Sequence, residues 1–97
     1  MIADETRTRK RDRLEIIFGI LSLVRENGNS IKPTPLLRKS NVSPKSFSEY
    51  YSELVSKGFV KEVADAKGRR FVTLTDRGFR YLEKYRSILQ FIDEFEL

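Results

Sequence analysis

The chain has no cysteine and no histidine among its 97 residues. Without Cys it makes neither disulfides nor thiolate metal sites. Lacking both types, it also has none of the usual pairings of catalytic nucleophile and base. The five glycines are scattered and build no phosphate-cradling loop. Acidic residues cluster only at Asp93, Glu94 and Glu96. At a helix end these solubilise the terminus or meet a basic surface on a partner, because a hard cation needs more convergent oxygens. Long apolar runs are missing too: Ile16 to Val24 falls far short of the ~20 residues that cross a bilayer. That run follows Arg7, Arg9, Lys10, Arg11 and Arg13 but ends in Arg25-Glu26 with no small-residue cleavage pattern, so it does not read as a signal peptide. The sequence therefore points away from an enzyme. No cofactor, metal, membrane or small-molecule ligand is expected, and the expected compartment is the cytoplasm. Repeats, linkers and low-complexity tracts are not seen.

What is present is charge. Nineteen Lys and Arg stand against 14 Asp and Glu, a net charge of +5 with a pI near 9.7, which favours a polyanionic partner. The length suits one domain around one core, spanning 1–97.

Local patterning divides the chain. Leu14, Ile17, Leu21 and Val24 recur at spacings of three and four, a helix face, with Ile16, Phe18 and Leu23 adding apolar surface off the stripe. Asn27-Gly28 closes this helix, which is expected to be central to the fold. Thr34-Pro35 and Ser43-Pro44 each pair an N-cap residue with one suited to the first helical position. Between them Asn41 is able to take the left-handed conformation that ends a helix. Residues 35–57 therefore read as helix, tight turn, helix, the arrangement that delivers a second helix into a DNA major groove. After Gly58, the β-branched and aromatic runs Phe59 to Ala64 and Arg69 to Leu74 flank Asp65-Ala66-Lys67-Gly68, which fits a type I turn. Residues 59–74 thus form a basic hairpin, a wing. Ser30 to Lys32 is read as a short third strand pairing with it. Thr75 caps a last helix over 76–95, with Asp76 suiting the dipole at its start.

The fold class is α+β, mainly α: a winged helix-turn-helix with a β-hairpin wing and an extended C-terminal helix. On the second helix of the pair, Phe47, Tyr50, Tyr51 and Leu54 share the buried face, so both tyrosines are assigned to packing rather than base stacking. Lys45, Ser46, Ser48, Glu49 and Ser52 are the candidate DNA contacts, through hydroxyls, one cation and a carboxylate able to accept from cytosine. Against this, Glu49 and Glu53 repel phosphates, and the alternative is a merely solvated face. At the wing, Lys67, Arg69 and Arg70 are candidates for phosphate or minor-groove contact, the alternative being a basic turn that serves solubility. Residues 1–8 are read as a flexible arm, with Arg9 and Arg11 as secondary phosphate contacts, or else as a solvated helix start.

The last helix carries two apolar stripes, Phe79, Leu82, Tyr85 and Leu89, then Tyr81, Ile88, Ile92 and Phe95, with Phe91 further round. One small domain does not easily cover both, so a homodimer is expected through Tyr81, Tyr85, Ile88, Leu89, Ile92 and Phe95. The alternative packs the second half of the helix on the first helix of the same chain.

Leu74-Thr75-Asp76-Arg77-Gly78 followed by Leu82 resembles the strand-to-helix junction of winged-helix regulators. Taken with Ile31-Lys32-Pro33-Thr34, Lys39-Ser40-Asn41-Val42-Ser43, Tyr50-Tyr51-Ser52-Glu53-Leu54 and Lys57-Gly58-Phe59-Val60, the order is similar to small archaeal winged-helix DNA-binding proteins regarded as transcriptional regulators. The resemblance covers about residues 12 to 97. It implies duplex DNA as partner, dimerisation through a long C-terminal helix in an antiparallel coiled coil, and either regulatory or general chromatin-type binding. A protein-interaction module is the competing class, since the fold alone does not settle function.

Overall fold

The computed structural model describes the backbone of residues 2–97 and side chains from Arg13 onward. Six elements follow in order: α1 (Ile2–Glu26), α2 (Pro33–Ser40), α3 (Pro44–Ser56), β1 (Val60–Ala64), β2 (Arg70–Leu74) and α4 (Asp76–Glu94). The backbone of residues 2–8, where the sequence suggests an arm, continues α1. Neither Pro nor Gly interrupts that stretch, so helix propagation from the packed part continues. The side chains of Arg9 and Arg11 lie outside the described residues.

Local capping accounts for most of the boundaries. The Ser43 side chain accepts from the Ser46 N–H at 3.2 Å and Thr75 from the Gly78 N–H at 3.2 Å, so both expected caps are formed. Asn41 closes α2 in the left-handed region at φ 60°. At the start of α2 the expectation fails: the helix begins at Pro33, the cap position is Lys32 with no side-chain bond, and Thr34 lies inside the first turn. The reason is Pro33 itself, which holds Lys32 extended and is pre-shaped for the first helical position. The second proline, Pro35, is tolerated because first-turn N–H groups lack helical partners.

β1 and β2 pair antiparallel in the register Val60 with Leu74 and Ala64 with Arg70. The turn between them is held by the Asp65 carboxylate, which accepts from the Lys67 and Arg69 N–H groups, each at 2.9 Å, and Gly68 supplies a φ of +79°. The expected third strand is a single bridge: Ile31 and Val72 exchange backbone hydrogen bonds at 3.3 and 2.7 Å. Asn29, also left-handed, accepts from the Leu74 N–H at 2.7 Å. This seats the α1–α2 loop on the hairpin.

The core draws on every element. Ile20, Leu21 and Val24 of α1, Leu36 of α2, Leu54 of α3, Val72 of β2 and Leu82 of α4 are almost wholly buried. The α1 stripe is thus central, except that Leu14 at its upper end is exposed. Ile16, Phe18 and Leu23 pack against the core from the flanks, as two-sided burial of the helix requires.

Candidate nucleic-acid interface

Helix α3 turns Phe47 and Leu54 inward and leaves Tyr50 and Tyr51 half-buried against the core. Lys45, Ser48, Glu49 and Ser52 are exposed, while Ser46 is half-buried behind the Ser43 cap. Glu53 is not a bare charge: it pairs with Arg13 of α1 and with Lys57 at 2.7 Å. Its repulsion toward phosphates is therefore offset within the chain.

Lys67, Arg69 and Arg70 are all exposed on the wing. Two of them are engaged. Arg69 Nε donates to Asp65 Oδ2 at 2.6 Å, and Arg70 Nη1 donates to Glu62 Oε1 at 3.1 Å. Glu62 also accepts from the Tyr51 hydroxyl, so one carboxylate joins the second helix of the pair to both strands of the wing. Tyr51 is fixed from beneath by stacking on Phe47, with ring centroids 5.7 Å apart and planes 15° apart.

The charges respond to these contacts. The Tyr51 hydrogen bond, the largest influence, and Arg70 together hold the Glu62 carboxyl below its ordinary value against the cost of burial. For Asp65 burial acts to raise the value, but the Arg69 N–H and guanidinium, the Lys67 N–H and the charge of Lys32 outweigh it, and the carboxyl sits low. Tyr51 is driven up, first by burial and then by its bond to Glu62 and the charge there.

Sequence reading assigned Tyr51 to packing without its hydroxyl bond to Glu62, and overlooked Glu62 and Lys32 at this surface. Lys32 lies beside the wing, with Nζ 6.0 Å from the Phe71 ring centre. The signal was the Ile31 bridge, which brings its neighbour to the hairpin. Nothing local marks Glu62, because its partners are 11 residues before it and eight after.

Away from this surface, α4 behaves differently along its length. Leu82 and Tyr85 are buried in the domain, with Tyr85 4.8 Å from the Phe18 ring, and the Tyr81 hydroxyl donates to the Leu14 carbonyl at 2.9 Å. Tyr85, expected at a dimer interface, is thus part of the chain's own core, and half-buried Tyr81 is largely used there too. Beyond them Ile88 (49% exposed), Leu89 (41%), Phe91 (56%) and Phe95 (57%) stand in solvent, while Ile92 is half-buried. Among the described residues, most of the apolar side chains in the second half of α4 are thus left uncovered. Among the described residues no helix is long and apolar enough to cross a membrane.

A helix-turn-helix joined directly to a two-stranded wing defines the winged-helix class. The chain belongs to the winged helix-turn-helix family, whose model matches residues 10–93. A protein of the archaeon Methanocaldococcus jannaschii is 37% identical over 59 residues, 61% of this chain and 59% of the relative's length. The fold is similar to that of S. aureus MepR in complex with DNA (TM-score 0.71, 17% identity, 98% of this chain and 77% of that one). It also resembles E. coli MarR complexed with operator DNA (0.59, 18%, 86% and 69%) and a winged-helix DNA-binding protein from STIV (0.65, 16%, 75% and 85%).

Proposed function

We propose that this protein binds duplex DNA as a homodimer and acts as a transcriptional regulator, with α3 in the major groove and the wing on the flanking backbone. The observation that carries the reading is the junction of α3 and wing through Glu62. It sets an exposed face of hydroxyls and Lys45 beside a hairpin bearing Lys67, Arg69 and Arg70, as groove reading with backbone contact requires. The complexes of MepR and MarR with DNA support it by likeness of fold. The exposed apolar half of α4 supports a second copy, which would place two α3 helices about a twofold axis. Ile88, Leu89, Ile92 and Phe95 remain its candidate contacts, joined by Phe91. The chemistry is noncovalent, with no cofactor, and the compartment is the cytoplasm.

The test is fluorescence anisotropy with a mixed-sequence duplex at low and physiological salt. With six or more phosphate contacts, affinity falls about a thousandfold or more between about 50 and 200 mM salt. Lys67→Glu weakens binding at every sequence. Absence of binding at low salt overturns the reading.

A second reading, a protein-interaction module, draws on the exposed Glu49 and on the carboxylates already occupying Arg69 and Arg70. Reversing the charges of Lys67, Arg69 and Arg70 separates the two: it abolishes DNA binding under the first and leaves a partner complex intact under the second.

A further inference from the structure

The arginine nearest the α3–wing junction is held by a group that resembles its target. Glu62 and Arg70 are diagonal neighbours across the hairpin, since Glu62 faces Val72 and Ala64 faces Arg70. The Arg70 side chain is 73% exposed and that of Glu62 only 30%, so the carboxylate is the sheltered member and the guanidinium the outward one. Its position is not left to chance. The Tyr51 hydroxyl holds the carboxylate from the α3 side, and the ring behind that hydroxyl rests on the buried Phe47.

We propose that Glu62 is a phosphate surrogate and a positioning residue: anchored by Tyr51, it holds Arg70 beside α3 and tempers the sequence-independent grip of the wing on DNA. The inference rests on the duplex-binding reading. A carboxylate and a phosphate oxygen compete for the same guanidinium donors, so an Arg70–phosphate contact forms only by sharing or giving up the Glu62 bond. Each phosphate contact adds to non-specific affinity. Weakening one of them at the wing raises the share of binding that depends on what α3 reads, because specificity is a difference of affinities. Asp65 holds Arg69 in the same way, but it also builds the turn through two backbone N–H groups. Among the described residues Glu62 has no such backbone bond, so its substitution is expected to leave the hairpin intact.

The experiment compares the full-length wild type, Glu62→Gln, Arg70→Ala and the double variant by anisotropy on one mixed-sequence duplex at fixed salt. Glu62→Gln is expected to bind about two- to fivefold tighter, the scale of an exposed ion pair, and Arg70→Ala more weakly than wild type. In the Arg70→Ala background the gain from Glu62→Gln disappears. A gain that persists undiminished without Arg70 means that Glu62 merely repels phosphate, and overturns the proposal while leaving DNA binding standing. No gain in the single variant overturns it as well. Failure of the wild type to bind removes the duplex-binding reading and this proposal with it. Tyr51→Phe keeps the Glu62 charge but loosens its anchor, so it shifts affinity in the same direction by a smaller factor; an affinity equal to wild type rejects the anchoring role.

Discussion

Gly78 lies directly against the backbone of Phe59: a Cβ added at Gly78 would sit 2.3 Å from the Phe59 carbonyl oxygen and 3.2 Å from Leu74 Cδ2. The same oxygen accepts from the Thr75 N–H at 3.1 Å, and the Thr75 hydroxyl reaches the Gly58 carbonyl at 2.5 Å. The first turn of α4 is thereby pinned to the residues that open the wing. Gly78→Ala is therefore expected to destabilise by about 1–3 kcal/mol through overpacking, although Gly to Ala inside a helix ordinarily gains roughly 0.5–1 kcal/mol. Urea unfolding decides the sign.

Capping separates Ser43 from Thr34. Ser43→Ala removes the side-chain cap bond at the start of α3 and is expected to cost about 1 kcal/mol. Thr34 caps nothing, so Thr34→Ala leaves the unfolding midpoint near that of wild type. Equal losses in the two variants contradict the observed helix starts.

Assembly and stability are expected to separate along α4. Phe91 and Phe95 are exposed with ring centres 4.9 Å apart. Replacing both with Asp is expected to convert the proposed dimer to a folded monomer in light scattering, since charges are excluded from an apolar interface core. Leu82→Ala acts inward instead, lowering stability by about 2–5 kcal/mol.

Titration gives two windows. Burial, reinforced by Tyr85 and opposed by Arg13, raises the Tyr81 phenol from 10.0 to about 12 in the folded chain. A folded value above the unfolded one stabilises below pH 10 and is lost as pH rises toward 12. Phenolate absorbance should show two tyrosines, Tyr81 and Tyr51, titrating late, and Tyr81→Phe should remove one of the two while leaving the other. For Glu62 the folded value is lowered instead. Its contribution is present above the unfolded carboxyl value and is lost as pH falls through the lowered one. Glu62→Gln therefore flattens the acid side of the stability profile.

The sequence by itself determined what short-range physics decides. The caps at Ser43 and Thr75, the left-handed Asn41, the Asp65 turn and the α1 stripe depend on residues within a few positions of one another, so propensity and spacing suffice to read them. Pro33 shows where such reading slips: two overlapping proline signals competed, and the earlier one started the helix. Tertiary structure alone decided the rest. Tyr85 and Leu89 share one stripe on a helical wheel, yet one is covered and the other is not, because only the folded packing sets which stretch of α4 meets the domain. Glu53 meets Arg13 forty residues away, and Glu62 meets Tyr51 and Arg70 from two other elements. Which charges remain free to meet a partner follows from pairs that only the folded packing of α1, α3 and the wing brings within reach.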